Sequence, residues 1–238
     1  MLIRKIKKIL LKAFAIGILI FTLITPVKAM TGNTRILLDL SHSDTMYYSN
    51  GQLVRDNGAV YGNYTERELT NQITLKVKTI LEENGINVDL TRDFNESVTL
   101  EERITKATKF GYDAYISLHA NSCKTPNTGT GYEAYSNNQY TLSKNIVEEL
   151  SSTYGLPNRG VQATPYYNQY INNSSLIELG FINNDEDRDI LINKQDEVAQ
   201  IIANNILKQY KPKLESKTID TKTIDTNCGS FNILINYK

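Results

Sequence analysis

The chain has only two histidines among its 238 residues, His42 and His119. Each closes a short apolar segment: His42 follows Ile36-Leu37-Leu38-Asp39-Leu40-Ser41, and His119 follows Ala114-Tyr115-Ile116-Ser117-Leu118. In an open α/β sheet, ligand sites form beyond the carboxyl ends of the strands, so both imidazoles stand where a site would be. A single strand-end histidine is commonly a structural hydrogen-bonding residue, but two in equivalent positions weaken that reading. Glu178 is embedded in Leu176-Ile177-Glu178-Leu179-Gly180-Phe181. A carboxylate in an apolar strand must be paired, coordinated or protonated to offset its desolvation, unless it faces outward from a half-exposed strand. Glu66 lies three residues before Leu69 and seven before Ile73, on the inward face of a helix, whereas Glu68 is turned about 100° away. Spacing alone reads Glu66 equally well as a capping-box acid that bonds backbone amides.

Two imidazoles and one carboxylate are the protein ligands of a catalytic zinc site that keeps its fourth position for water. A second carboxylate, not a ligand, would take the proton from that water as it attacks a carbonyl. His42, Glu66, His119 and Glu178 meet this stoichiometry with nothing spare. A serine hydrolase is disfavoured because no G-x-S-x-G elbow is present. Cys123, four residues after His119, offers a cysteine nucleophile, but that chemistry gives Glu66, His42 and Glu178 no task.

The elements that must position these residues read as one α/β domain. The pattern predicts an open, twisted, mostly parallel sheet with helices on both faces and the zinc at the carboxyl ends of the strands. Strands are expected at Ile36–Leu40, Ile86–Thr91, Ala114–Leu118, Gly131–Tyr135 and Ser175–Leu179. Helices are expected at Tyr64–Glu83, Leu100–Phe110, Tyr140–Tyr154, Asp185–Ile192 and Lys194–Tyr210, with Asn63 capping the first and Asn84-Gly85 ending it. Residues 43–63, rich in Ser, Asn, Gly and Tyr, read as a long functional loop. Beyond Lys211-Pro212, residues 213–238 contain Lys-Thr-Ile-Asp-Thr twice and read as a low-order tail, in which Phe231–Ile235 could add an edge strand.

Lys+Arg and Asp+Glu both number 26, so the formal net charge is zero, and no nucleic-acid partner is expected. Six of the cations fall in residues 1–29, which hold no acid and run from a basic region through the apolar Ala13–Thr25 to Val27-Lys28-Ala29. That order predicts a secretory signal peptide, with an uncleaved membrane anchor as the alternative. Without it, 20 cations face 26 acids, a net charge of −6. The catalytic domain is therefore taken as residues 30–212, exported to the cell envelope or secreted, and expected to act as a monomer. Pairing of Cys123 with Cys228 after export is chemically open.

In order and spacing, these segments resemble the zinc-dependent N-acetylmuramoyl-L-alanine amidases of the amidase-3 type, over Arg35 to Tyr210. Leu38-Asp39-Leu40-Ser41-His42-Ser43 stands in place of the family's L-D-P-G-H-G-G, and Glu66-Arg67-Glu68-Leu69-Thr70-Asn71 in place of E-K-D-L-N-L. Thr91-Arg92-Asp93, Thr99-Leu100-Glu101-Glu102-Arg103 and Ser117-Leu118-His119-Ala120-Asn121 are similar to T-R-D, S-L-E-E-R and S-I-H-A-N. Asn158-Arg159-Gly160-Val161 matches N-R-G-V, and Ile177 to Asn184 resembles V-E-L-G-F-I-S-N. The resemblance implies that His42, Glu66 and His119 hold Zn2+ and that Glu178 is the catalytic acid/base. It implies a peptidoglycan substrate, cut at the amide between the lactyl group of N-acetylmuramic acid and L-alanine. It also favours the ligand role of Glu66 over the cap. The family's glycines around the first histidine are replaced by Ser41, Ser43 and Asp44, which leaves the turn and the substrate fit open. Two alternatives stand beside it: an inactive peptidoglycan-binding or regulatory protein with the same fold, and a zinc peptidase cutting another stem bond. Substrate delivery is left to the domain itself, the tail, a retained signal segment or an activator protein. Asp39 is open to a role as acceptor behind a ligand histidine or to a structural one.

Overall fold

The computed structural model describes residues 34–49, 52–164 and 167–210, together with the backbone of 221–226 and 229–234. The expected signal peptide, residues 1–29, and Cys228 lie outside the described residues. Among the described residues, no helix is long and apolar enough to cross a membrane.

In chain order the strands are β1 (Arg35–Asp39), β2 (Met46–Ser49), β3 (Gln52–Arg55), β4 (Val60–Tyr61), β5 (Tyr64–Thr65), β6 (Asn87–Leu90), β7 (Ala114–Asn121), β8 (Tyr132–Asn137), β9 (Asn158–Ala163) and β10 (Ser174–Phe181). The helices are α1 (Glu66–Glu83), α2 (Leu100–Lys109), α3 (Tyr140–Tyr154), α4 (Asp185–Asn193) and α5 (Gln195–Tyr210). Six strands form one sheet in the order β6-β1-β7-β10-β8-β9. β1 runs parallel to β6 and β7, and β7 to β10, while β8 is antiparallel to β10 and β9 parallel to β8. The sheet is therefore mostly parallel, with a reversed pair at one edge.

Both faces of the central strands are covered, which is why β1 and β7 read as continuous apolar runs rather than alternating ones. Ile36, Leu38, Ile116, Leu118, Ile177 and Leu179 pack with Ile73, Val77 and Leu81 of α1, Ile146 and Leu150 of α3, and Val198, Ile202 and Ile206 of α5. Full burial of one such aliphatic side chain contributes about 1.5–3 kcal/mol, so this layer carries most of the stability. Leu37 and Tyr115 point the other way, onto Ala107 of α2 and Ile171. Helices thus lie on both faces, but the α2 face is the thinner layer, and it is the face on which Asp39 and Ser117 stand as register partners.

Two sequence expectations are corrected. Residues 43–63 are not a structureless loop: β2 pairs with β3 and β4 with β5, both antiparallel. The first helix starts at Glu66, not Tyr64, because Tyr64 and Thr65 are drawn into the β4–β5 ladder. Its N-cap is accordingly Thr65, whose hydroxyl accepts from the Glu68 backbone at 3.2 Å, and not Asn63. Within the tail, β11 (Thr221–Thr226) pairs antiparallel with β12 (Gly229–Leu234), the latter overlapping the strand expected at Phe231–Ile235, in keeping with the β-branched alternation of the repeat. Strand β9 was not anticipated, because its exposed polar residues show no period.

Candidate active site

Four elements end at one point. His42 follows β1, Glu66 opens α1, His119 sits near the end of β7, and Glu178 is its register partner on β10. Glu66 Oε1 lies 2.7 Å from His119 Nδ1 and 3.1 Å from His42 Nε2. One ligand atom from each of these three residues falls within 4.8 Å of the others. The Glu66 carboxylate closes no capping box. It accepts from the Ala59 amide at 2.7 Å and the Ala120 amide at 3.1 Å, at a helix N-terminus whose dipole favours negative charge.

Each imidazole is held by the nitrogen that does not face Glu66. His42 Nδ1 is 2.6 Å from Asp56 Oδ1. His119 Nε2 is 3.0 Å from Ser117 Oγ, which donates to Asp39 Oδ2 at 2.8 Å. Asp39, fully buried, also receives Arg103 Nη1 at 2.8 Å and the Thr91 hydroxyl at 2.7 Å. Outer acceptors of this kind set the tautomer and the angle of a ligand histidine.

The turn at His42 is held by side chains where the family has glycines. His42 itself takes the left-handed conformation, with φ 58°. Buried Ser41 donates to the Leu118 carbonyl at 2.9 Å and buried Ser43 to the Val98 carbonyl at 2.9 Å. Arg92 Nε donates to the carbonyls of Leu40 and His42, both at 3.0 Å. Hydroxyls and one guanidinium thus hold a turn that glycine would otherwise ease.

Electrostatics separates the two carboxylates. Burial works against charge on Glu66, yet His119 and His42 overcome it and hold its pKa far below the ordinary range. Burial likewise opposes charge on His42, but Asp56 and Glu66 raise it to about 9. For Glu178 the pull of His42 is outweighed, and burial together with Glu66 and Glu133 lifts its pKa well above 4.5. Its Oε2 is shielded and has no hydrogen-bond partner. An ionised carboxylate between two imidazoles and a second one that retains its proton more readily are the pair a hydrolytic metal site needs.

The arrangement also fits a metal ion on steric grounds. His42 Nε2 is buried and, although Glu66 Oε1 lies 3.1 Å away, no aligned hydrogen bond satisfies it among the described residues. Gly58 leaves the space beside it open: a Cβ there would sit 2.4 Å from Glu66 Oε2 and 2.6 Å from His42 Nε2. His42, Glu66, His119, Leu176 and Glu178 line a cleft of about 270 Å³. Two nitrogens and one carboxylate are a donor set suited to zinc.

Sequence reasoning brought out the four central residues and, behind them, Asp39, but missed Asp56, Ser117 and Glu133. Asp56 lies in a stretch without periodicity. Ser117 is one hydroxyl in an apolar strand. Glu133, buried on β8, is the register partner of Glu178 and receives Asn121 Nδ2 at 2.7 Å and Arg159 Nε at 3.0 Å. Its position inside Tyr132–Tyr135 carries the same signal as Glu178, a carboxylate in an apolar strand.

A family profile described as N-acetylmuramoyl-L-alanine amidase matches residues 36–208. The uncharacterized protein YqiI of Bacillus subtilis (strain 168) is 32% identical over 176 residues, covering 70% of this chain and 84% of that protein. The N-acetylmuramoyl-L-alanine amidase LytC of the same organism is 28% identical over 180 residues; the match covers 71% of this chain and 36% of LytC. Among solved structures, the N-acetylmuramoyl-L-alanine amidase AmiC2 of Nostoc punctiforme superposes with a TM-score of 0.65 at 27% identity, over 75% of this chain and 97% of that one. The CwlD amidase of Clostridioides difficile, solved in complex with the GerS lipoprotein, gives 0.64 at 25% identity, over 74% and 98%. The architecture is that of an amidase catalytic domain, shared over nearly the full length of these solved chains. The chain belongs to the N-acetylmuramoyl-L-alanine amidase family.

Proposed function

We propose that the chain is a zinc-dependent amidase that hydrolyses the bond between the lactyl carbonyl of N-acetylmuramic acid and the nitrogen of L-alanine in peptidoglycan. The observation that carries this reading is the convergence of His42 Nε2, Glu66 Oε1 and His119 Nδ1 beside the buried, unpartnered Glu178 Oε2. His42, Glu66 and His119 would hold zinc, which when bound polarises a carbonyl and acidifies water. Glu178 takes the proton of the attacking water on its carboxylate and returns it to the leaving alanine nitrogen. Asp56 and Ser117 keep the ring nitrogens opposite the ligand atoms protonated, so that the lone pairs face the cleft.

Residues 1–29 would direct export and 30–212 form the catalytic unit, acting as a monomer in the cell envelope. The chain's uneven charge and the extracytoplasmic substrate support this. The Clostridioides difficile relative was solved in complex with a lipoprotein, and this supports a protein partner, which we read as an activator, for this chain. The deciding experiment is product analysis. Purified protein with zinc should release free stem peptides from peptidoglycan and leave the lactyl carboxylate bare, and removal of the metal should stop it. Products cut within the stem, or undiminished release by Glu178→Ala, would overturn the assignment.

A further inference from the structure

Resting on the amidase reading, we propose that Arg159 binds a carboxylate on the second residue of the leaving peptide and so selects stems in which that group is ionised. Tyr132 pairs with Asn158 and Ala134 with Val161, so β9 fits Arg159 and Gly160 opposite the single residue Glu133. Gly160 has φ 88°, which permits this bulge. Bulges beside active sites re-aim a side chain, and here Arg159 is turned back over Glu133.

The guanidinium is fixed by two contacts. Nε donates to Glu133 Oε2 at 3.0 Å, and the group lies 5.0 Å over the Phe181 ring. Neither contact uses the terminal Nη pair, and the side chain remains 41% exposed. A planar fork held in place with its outer edge toward solvent is the geometry that grips a carboxylate through two parallel hydrogen bonds. Charge argues the same way, since Arg159 is the cation that sets itself against Glu133, the carboxylate next to Glu178 on the neighbouring strand.

Position indicates which carboxylate. Glu133 pairs with Glu178, so the backbone of β9 lies two strand spacings, roughly 10 Å, from that of β10. An arginine reaching back over Glu133 shortens this by several ångströms. From the scissile nitrogen, a carboxylate on the second residue of an extended peptide is roughly 7 Å away, one residue step plus its own bonds. The leaving peptide would therefore run across the sheet end from Glu178 toward Arg159.

The test uses zinc-loaded full-length protein and two N-acetylmuramoyl tripeptides of L-Ala, γ-linked D-Glu and L-Lys. One bears the free α-carboxylate at the second residue and the other its carboxamide. Wild type should favour the free acid about tenfold or more in kcat/KM, mainly through KM. Arg159→Ala should bring the ratio near one, and Arg159→Lys, which keeps the charge opposite Glu133 but loses the fork, should retain part of it. Melting temperature and zinc content of both variants report whether the fold is kept. Equal use of both substrates by wild type, or a preference that survives in folded Arg159→Ala, overturns this inference alone. A wild type that cuts both tripeptides at a bond other than the lactyl amide overturns the amidase reading, and this one with it.

Discussion

Asp56 Oδ1 lies 2.6 Å from His42 Nδ1, and this contact determines which nitrogen of the ring is left for Glu66 and the cleft. Asp56 is itself tied down, since its amide donates to the Thr45 carbonyl at 2.9 Å and its carbonyl accepts from Ser43 at 3.2 Å. Loss of an outer acceptor of this kind typically costs about 10–100-fold in metal affinity. Asp56→Ala should therefore weaken zinc binding by that factor in competition with a chromophoric chelator, while Asp56→Asn recovers part of it. Unchanged affinity in Asp56→Ala would show that the contact does not orient the ring.

Asp39 makes the corresponding link to His119 through Ser117, and it also carries a pH signature. Full burial alone would raise its pKa, but Arg103, Thr91 and Ser117 bring it down from 3.8 to about 2. A carboxylate whose pKa is depressed on folding contributes stability above its unfolded value and loses it as pH falls through the folded one. The shift corresponds to about 2 kcal/mol, lost between roughly pH 5 and pH 2. Urea unfolding of wild type should show this decline. In Asp39→Asn the decline should shrink by about that amount, from a stability at pH 7 already lowered by about 3–5 kcal/mol because the buried ion pair with Arg103 is broken. An identical pH slope in the two proteins would contradict the coupling.

Glu178 separates binding from turnover. It contributes no atom to the His42–Glu66–His119 cluster, so Glu178→Gln should bind zinc as wild type does. The amide cannot accept the water proton, and general acid–base catalysis is worth about 10²–10⁴-fold. Release of stem peptides should fall by that factor at full metal occupancy. Loss of zinc in this variant would instead make Glu178 a fourth ligand.

What the sequence revealed follows the physics of burial. The central strands and α3, with Leu142, Ile146, Val147 and Leu150 inward, are legible because buried faces impose a period. His42, His119 and Glu178 stand out because polar groups at the ends or interior of such runs are exceptions to that period. The start of α1 was misplaced because Tyr64 and Thr65 suit a helix or a strand, and only their pairing with Val60 and Tyr61 decides between them. Asp56, Ser117 and Arg159 were silent for a different reason. Asp56 and Arg159 act across 14 and 26 residues of sequence from a hairpin and a bulge that tertiary pairing creates, and Ser117, two residues before His119 on the same strand face, is one hydroxyl in an apolar run.

Gly58 and Gly62 allow the metal reading to be tested by sterics alone. Both have left-handed backbones, with φ 66° and 58°. Alanine at either position carries a similar conformational penalty, about 1–2 kcal/mol. Their surroundings differ. A Cβ at Gly62 meets nothing within 4 Å, whereas one at Gly58 would press on Glu66 Oε2 at 2.4 Å and His42 Nε2 at 2.6 Å. Neither atom can easily give way, because Glu66 Oε2 is bonded to the Ala59 amide and the His42 ring to Asp56. Gly62→Ala should therefore lose only the conformational penalty in thermal melts and Gly58→Ala about 1–3 kcal/mol more from overpacking, and only Gly58→Ala should lose zinc affinity, by an order of magnitude or more, and amidase activity with it. Equal zinc affinity in the two variants would mean that the ion is not held in the space Gly58 keeps open.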